Sequence, residues 1–426
     1  MEYQDLKYQA FIKILRNELK PAMGCTEPIA IAYCAAKLRE VLGHIPDEIV
    51  AYVSGNIIKN VKSVKVPHTN GMQGIEAAIG IGIVAGDASK ELEVISYVTN
   101  EQVEYLPSYL KNSSIKVKHS NSEHTLYIEL IGRYKNDIVT VAIRDNHLNI
   151  CLIIKNDEII YQNDKLIEYE DENIDTTLLS VKEIVEFANI VKIEDVKKVL
   201  DRQIKYNMAI AEEGLKNNYG ANIGKTILKY VGDDVLQKAK ALAAAGSDAR
   251  MNGCDMPVVI NSGSGNQGIT TSVPVITFAR HLNKTDEELY RALVVANLCT
   301  IHMKTNIGKL SAYCGVITAG AGCGAGIAYL EDGSIEAVSH TLVNCLAINS
   351  GVVCDGAKSS CAAKIASAVE AGILGYFMYK EGNEFYGGDG LVKKGVENTI
   401  KAIGELAKKG MCTTDKEIIH IMIDEE

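Results

Sequence analysis

The sequence lacks a basic run of the kind that binds nucleic acid. Its 426 residues include 44 Lys or Arg and 54 Asp or Glu, so the net charge is -10 and the pI is near 5.5. Neutralising phosphates requires Lys and Arg clustered on one face. We therefore expect no nucleic acid among the partners.

An uncharged apolar stretch is also missing from residues 1–20, where charges recur every few positions. Such a segment is not a secretory signal, and the sequence therefore predicts a cytoplasmic protein. In that reducing compartment, eleven cysteines are expected to be metal ligands, catalytic thiols or core residues and not disulfides. Pro-rich linkers and internal repeats are absent as well.

One stretch tests the membrane alternative. Residues 310–330 carry no charge, and their number is close to the roughly 20 residues that span a bilayer. The stretch contains five glycines and few large apolar side chains, and nothing else in the chain resembles it. We therefore expect close helix packing around a buried site and no membrane partner.

Hydrophobic periodicity predicts the fold class. Alternating runs between residues 115 and 161 predict an antiparallel meander, with further strands at 49–54 and 91–98 around a glycine-rich helix. From Ser180 a 3.6-residue period predicts helices, and the first 45 residues are helical in pattern too. The sequence thus predicts an α+β protein. Its mainly helical catalytic body (1–45 and 180–426) carries an inserted α+β domain (46–179) that contains an antiparallel sheet.

Three cysteines indicate a metal centre. Cys354 and Cys361 flank an Asp-Gly turn in CDGAKSSC, and Cys314 lies upstream in SAYCGV. Three thiolates suit an iron–sulfur cluster with one iron left without a protein ligand, because full ligation takes four. An open iron is a Lewis acid for a substrate. The alternative is a closed zinc site with Cys254 or Cys323 as the fourth thiol, although zinc pairs favour two to four intervening residues and CDGAKSSC has six.

The segment MGCTEP places Cys25 at the start of a predicted helix. The helix dipole lowers the pKa of a thiol at that position, which would make Cys25 a thiolate near neutral pH. The other interpretation is a helix cap, in which Thr26 caps and Glu27 complements the dipole. The residues alone leave both interpretations open.

Two polar loops are candidates for binding a carboxylate. HTNGMQG has an Asn-Gly turn before a helix and presents backbone amides to an anion, and residues 248–274 crowd small polar side chains beside four glycines. With the MGCTEP segment, these loops give the expected substrate-binding residues Thr26, Glu27, Asn70, Met72, Asn261, Ser262, Ser264 and Asn266.

The motifs MGCTEP, NGMQG, INSGSGNQGITTSVP and CDGAKSSCAAKIASA resemble those of the L-cysteine desulfidases, a family similar in its helical half to the bacterial iron–sulfur L-serine dehydratases. The resemblance extends from end to end. It implies an oxygen-sensitive [4Fe-4S] enzyme that converts L-cysteine to pyruvate, ammonia and hydrogen sulfide without pyridoxal phosphate. It also implies that Cys314, Cys354 and Cys361 bind the cluster, and it matches Lys304 and Asn306 to a Lys-x-Asn element.

The sequence departs from the serine dehydratases in ways that favour cysteine as substrate. Those enzymes space the two later cysteines more widely, have a proline after the Asp, and carry a histidine where this chain has Ile348. Cys25 is the first candidate for the base that removes the Cα proton, with Glu27 or His302 as fallback. The alternatives are an L-serine dehydratase and a non-catalytic iron–sulfur sensor or carrier. The expected partners are L-cysteine and, in a homodimer, a second copy of the chain.

Overall fold

The computed structural model describes residues 6–120, 122–163, 175–308 and 311–423. The strands in these residues are β1 (Pro21–Met23), β2 (Glu48–Val53), β3 (Ser114–His119), β4 (Tyr127–Tyr134), β5 (Asp137–Arg144), β6 (Ile150–Lys155), β7 (Glu158–Gln162) and β8 (Pro257–Val259). The helices are α1 (Leu6–Glu18), α2 (Thr26–Leu42), α3 (Gly55–Val61), α4 (Gly74–Ala85), α5 (Asn100–Asn112), α6 (Val181–Ile190), α7 (Ile193–Lys216), α8 (Ile223–Tyr230), α9 (Val235–Met251), α10 (Gly265–His281), α11 (Asp286–Ile307), α12 (Gly315–Glu331), α13 (Ile335–Ile348), α14 (Ser360–Lys380), α15 (Val396–Glu405) and α16 (Cys412–Ile423).

A six-stranded mixed sheet has the order β3-β2-β4-β5-β6-β7. Strands β4 to β7 form the predicted antiparallel meander. Strand β3 was expected in that meander, but it lies at the opposite edge and runs parallel to β2. The reason is that α3, α4 and α5 carry the chain across the sheet, which is what a parallel connection requires. The predicted α+β fold class is confirmed.

The predicted strand at residues 91–98 is wrong. A 3₁₀ helix covers Ala88–Glu93, and turns follow it. The Asp87 carboxylate accepts a hydrogen bond from the Ser89 N–H at 3.0 Å and so begins the 3₁₀ helix. The adjacent residues Val94 and Ile95 are both buried, whereas a half-buried strand would bury alternate residues.

Two hydrophobic cores are separate in the fold. One core lies between the sheet and the helices α2 and α4, and the other fills the helical body from α6 to α15 together with α1. Helix α2 therefore packs with the sheet although it precedes residue 45. The domain division at residues 45 and 179 stays a prediction, and residues 1–5, 164–174 and 424–426 at its ends lie outside the described ranges.

Close packing of α12 against α14 explains the uncharged stretch at 310–330, whose first residue lies outside the described ranges. A Cβ on Gly324 would lie 2.7 Å from the carbonyl carbon of Gly372, so the two backbones can approach only because both residues are glycine. The expected close packing is confirmed. By length and composition, one helix of the described residues, α14, could cross a membrane, and it packs against α9, α12 and α13.

Candidate functional site

A cavity of about 110 Å³ lies between the helical body and the six-stranded sheet with its packed helices, and four cysteines line it. Three of them are Cys314, Cys354 and Cys361, and the fourth is Cys25. The structure therefore brings together the predicted metal ligands and the predicted catalytic thiol, although up to 336 residues separate them in the sequence.

Local pairing places the first two thiols side by side. The Cys354 N–H donates to the Ala312 carbonyl at 2.6 Å, and the Cys314 N–H donates to the Val352 carbonyl at 3.1 Å. The two thiols hydrogen-bond to each other. Cys361 lies in the first turn of α14, and Cys314 directly precedes α12. The close contact between these two helices therefore brings the third thiol to the same cavity.

Four helices begin at the cavity wall. Cys25, Ser264 and Cys314 are the N-cap residues of α2, α10 and α12, and Cys361 lies at the start of α14. Each helix N-terminus carries a partial positive charge of about half an elementary charge. The four helix N-termini therefore favour an anion in the cavity.

Three buried cations add to this positive field. Lys59, Arg250 and Lys304 line the cavity, are 2% to 5% exposed, and occupy the last turns of α3, α9 and α11. Lys59 forms an ion pair with Asp415 at 2.5 Å. Within the described residues, neither Arg250 nor Lys304 forms an ion pair. Because Lys and Arg are rarely buried without a partner, the two charges indicate a site for an anion.

The lysines act on the paired thiols. The hydrogen bond from Cys314 lowers the pKa of Cys354 against the effect of burial, and the charges of Lys59 and Lys304 lower it further. The same hydrogen bond, with burial, raises the pKa of Cys314. The hydrogen bond and the two lysine charges therefore favour the thiolate form of Cys354, while burial lowers the pKa of Lys304 itself.

The environment of Cys25 differs from the expected thiolate. Burial and the charge of Glu27 raise the pKa of Cys25, and the charge of Arg250 opposes them only in part. The thiol donates a hydrogen bond to Glu27 Oε2 at 3.1 Å. Desolvation thus outweighs the helix dipole, and Cys25 is a protonated thiol beside a carboxylate.

On the Cys25 side of the cavity, the Glu27 carboxylate is the common hydrogen-bond acceptor. Its carboxylate also accepts hydrogen bonds from Thr26 Oγ1 at 3.0 Å and from Asn60 Nδ2 at 3.3 Å. Thr26 does not cap α2, since the N-cap residue is Cys25 and its side chain makes no capping hydrogen bond. Glu27 lies in the first turn, where it complements the dipole.

Four other predicted substrate residues lie at or beside the cavity. Ser264 and Asn266 line it directly. A second cavity of about 160 Å³ shares Glu27 and Ser264 with the first, and Thr26 and Ser262 line this second cavity. The polar loop before α10 therefore lies between two adjoining spaces.

The structure does not bring the remaining predicted substrate residues into the cavity. Asn70 is exposed in a left-handed turn with φ 54°, and Met72 packs against the sheet core. Asn261 is 0% exposed and donates to Asn297 Oδ1 at 2.9 Å. Asn70 lies in a turn, Met72 packs in a core, and Asn261 makes a buried structural hydrogen bond. The geometry therefore does not support a substrate-binding role for these three residues.

The fallback base His302 also lies away from the cavity wall. Its Nε2 lies 2.7 Å from Glu397 Oε2. In the Lys-x-Asn element, Lys304 lines the cavity, whereas Asn306 donates to the His302 carbonyl at 3.1 Å. Only the lysine of this element is therefore available to a ligand.

Sequence reasoning missed Lys59 and Arg250, which both line the cavity. A signal for Arg250 exists: it ends the alanine-rich helix KALAAAGSDARM, in which the other residues from Ala243 to Met251 are small or apolar except Asp248. A charge at the end of such a buried helix indicates a buried partner. Lys59 has no comparable sequence signal. Gln267 also lines the cavity and lies in the polar segment 248–274 that the sequence singles out, although it is not among the expected substrate-binding residues.

The donor set fits an iron–sulfur cluster. Cysteine ligands of a cubic cluster bind different irons, and so their sulfurs surround a volume instead of converging on one point. Among the described residues, no group of three or more His, Cys, Asp or Glu side chains is arranged around a single metal ion. The two extra thiols of the zinc alternative do not line this cavity. Cys254 is hydrogen-bonded with Tyr219, and Cys323 donates to the Gly320 carbonyl at 3.1 Å.

All eleven cysteines are free thiols. Cys34, Cys151, Cys299 and Cys345 are buried, and Cys412 is exposed. Asp355, next to Cys354, faces away from the cavity and forms ion pairs with Lys358 and Lys364.

Comparison with known proteins agrees with these features. A family model described as the serine dehydratase alpha chain matches residues 85–420. The chain is 57% identical over 425 residues to a UPF0597 protein of Desulfitobacterium hafniense (100% of this chain, 99% of the relative). It is 48% identical to a UPF0597 protein of Treponema denticola (99% and 100%) and 49% identical to one of Lachnoclostridium phytofermentans (98% and 100%). The chain therefore belongs to the serine dehydratase alpha chain family, and this membership indicates a lyase of the iron–sulfur dehydratase type that acts on a small molecule.

Proposed function

We propose that the chain is an iron–sulfur-dependent lyase that degrades L-cysteine to pyruvate, ammonia and hydrogen sulfide. The observation that carries the proposal is one cavity in which three cysteine thiols face a Cys25–Glu27 pair. The thiols suit a metal cluster, and the pair suits proton transfer. The free cysteines support placement in the cytoplasm.

Cys314, Cys354 and Cys361 would hold a [4Fe-4S] cluster. When bound, it supplies an iron without a protein ligand, a Lewis acid well matched to the soft thiolate of L-cysteine. Lys59 and Lys304 would offset the negative charge of the cysteine ligands. Their charges also lower the pKa of Cys354, although the hydrogen bond from Cys314 lowers it more.

The Cys25–Glu27 pair would handle the Cα proton. In a β-elimination the Cα–H and Cβ–S bonds break, a Cα=Cβ bond forms, and the sulfur leaves as sulfide. We assign the proton acceptor to the Glu27 carboxylate, because the raised pKa of Cys25 leaves its thiol protonated. Hydrogen bonds from Cys25 and Thr26 would hold that carboxylate in place. The aminoacrylate product then tautomerises to an imine, which water hydrolyses to pyruvate and ammonia.

The start of α10 would position the substrate. Ser264 and Asn266 line the cavity and offer polar groups at a helix N-terminus. Ser262 donates its hydroxyl hydrogen bond to Asn261 Oδ1 at 2.8 Å, so Asn261 would act by holding this loop and not by contact. Asn70 and Met72 have no part in the proposal.

An L-serine dehydratase is the second candidate, favoured by the description of the matching family model. A hydroxyl is a harder ligand than a thiolate, so the two substrates should differ in their affinity for an open iron. A third candidate, a non-catalytic cluster sensor or carrier, has no need for a carboxylate acceptor opposite the thiols.

Anaerobic purification followed by iron and sulfide analysis tests the proposal. Pyruvate formation then compares L-cysteine with L-serine by kcat/KM, with Cys412→Ala as a control because its thiol is exposed and does not line the cavity. We expect a bound cluster and a higher kcat/KM for L-cysteine. A higher kcat/KM for L-serine would favour the second candidate, and an intact cluster without pyruvate from either amino acid would favour the third.

A further inference from the structure

Arg250 carries a buried charge that the chain itself leaves without an anion. Its side chain is 2% exposed and lines the cavity beside Cys25 and Glu27. Among the described residues, it makes one hydrogen bond, from Nη1 to Asn266 Oδ1 at 3.1 Å, and no ion pair. The buried Nε–H has no partner. A buried guanidinium in this state is unfavourable unless an anion completes it.

The neighbouring groups form a polar cradle around this guanidinium. Helix α10 begins at Ser264 without a side-chain cap, which leaves its first N–H groups open to an acceptor. The side chain of Gln267, in the first turn, has a buried Oε1 without a partner. Two unpartnered buried polar atoms at one helix N-terminus therefore indicate a ligand with both negative and hydrogen-bonding groups.

Gly265 provides the space that Arg250 occupies. A Cβ at position 265 would lie 2.7 Å from Cζ of Arg250, closer than side-chain atoms approach each other. The guanidinium therefore reaches the start of α10 only because this residue has no side chain. The Arg250 side chain and the start of α10 therefore pack directly against each other.

Arg250 lies on the Cys25 side of the cavity. The next residue, Met251, packs in one buried cluster with Cys25, and Arg250 donates to Asn266 at the start of α10. Arg250 thus acts on the side of the cavity that holds Glu27.

We propose that Arg250 binds the α-carboxylate of the substrate, with Asn266 fixing the plane of the guanidinium and the start of α10 completing the site. A guanidinium offers two parallel N–H donors to a carboxylate, a geometry that an ammonium group does not provide. This subsite would place the Cα–H bond next to Glu27 and the thiol next to the three cysteines. The identity of the substrate as an amino acid rests on the proposed function.

Binding of two substrate fragments to the anaerobic holoprotein tests the proposal by calorimetry. The fragment 3-mercaptopropionate keeps the thiol and the carboxylate, and cysteamine keeps the thiol and the ammonium group. We expect Arg250→Gln to weaken 3-mercaptopropionate binding about 10- to 100-fold, the loss of a charge-assisted hydrogen bond, and to leave cysteamine binding within about 3-fold. Arg280→Gln, on an exposed side chain in the last turn of α10, is the control and should change neither.

Two further variants keep the test decisive if Arg250→Gln does not fold. Arg250→Lys keeps the charge without the paired donors, and Gly265→Ala displaces the guanidinium without changing it. Both variants should weaken the binding of 3-mercaptopropionate and not that of cysteamine. Equal weakening of both fragments, no weakening, or no binding of 3-mercaptopropionate to the unmodified protein would overturn the proposal. Loss of iron in Arg250→Lys would assign the arginine to the cluster instead.

Failure of the proposed reaction gives a different result. A holoprotein that forms no pyruvate from L-cysteine, yet loses 3-mercaptopropionate binding selectively in Arg250→Gln, would refute the reaction and keep the carboxylate subsite.

Discussion

The two sides of the cavity belong to different parts of the fold. On the thiol side, Cys314 and Cys361 start helices that pack inside the helical body through glycine contacts. On the opposite side, Cys25 and Glu27 start α2, which packs on the sheet. The comparison teaches that the residues proposed to bind the metal and those proposed to transfer the proton belong to separately packed cores. A variant on one side should therefore spare the task of the other.

The largest expected effect is that of Cys354→Ala on the thiol side. Removing one of three cluster ligands should reduce both iron content and lyase activity to background, because the open iron is lost with the cluster. Iron analysis and pyruvate formation measure the two quantities. Cys345→Ala, at a buried cysteine outside the cavity, is the control and should keep its iron. Full iron in Cys354→Ala would remove this residue from the ligand set.

Glu27→Gln tests the opposite side. The amide keeps the shape but accepts no proton, so kcat should fall about 10²- to 10⁴-fold, the usual contribution of a general base. Iron content should match that of the unmodified protein, since Glu27 lies on the α2 side. Exchange of the Cα proton of L-cysteine in heavy water, followed by NMR, should stop in this variant. Normal exchange would place the base elsewhere.

Gly324→Ala probes the rigidity of the thiol side. The added Cβ would meet the Gly372 carbonyl carbon at 2.7 Å, so α12 and α14 must move apart. We expect the free energy of unfolding to fall by about 1–3 kcal/mol, as for other overpacked cores. Denaturant unfolding followed by circular dichroism measures it. Gly351→Ala is the matched control because no atom lies within 4 Å of its added Cβ. Equal stability of the two variants would mean that this helix contact is not tight.

The smallest effect is expected for Cys25→Ser. Burial and Glu27 raise the pKa of Cys25, so its thiolate would appear only above the usual pH range of a free thiol. Between about pH 7 and 9 the rate should therefore show no rise that depends on this thiol. The variant keeps a donor to Glu27, and its pH–rate profile should keep the same shape with kcat within about 10-fold. A rise with pH in the unmodified protein that vanishes in Cys25→Ser would show a catalytic thiolate.

Part of the site could be predicted because short sequence motifs and helix-start signals determine it. Cys354 and Cys361 share one short motif, and Glu27 and Ser264 occupy helix starts that their neighbouring residues signal. The meander was readable from alternating residues and short polar turns. These features depend on near neighbours in the chain.

The rest depends on contacts between distant segments. Arg250 matters because Gly265 and Asn266, on the next helix, surround it. The thiolate expected at Cys25 fails because burial, which one sequence does not show, outweighs the dipole. Asn70 sits in a turn that resembles an anion site locally, but the fold leaves it exposed.

The Mössbauer spectrum of ⁵⁷Fe-reconstituted protein, recorded before and after addition of L-cysteine, tests the central claim most directly. A cluster held by three cysteines has one iron in four without a protein ligand, so the account predicts a distinct signal of about a quarter of the iron that shifts when L-cysteine binds. A spectrum of four irons that L-cysteine leaves unchanged would contradict an open iron that meets the substrate.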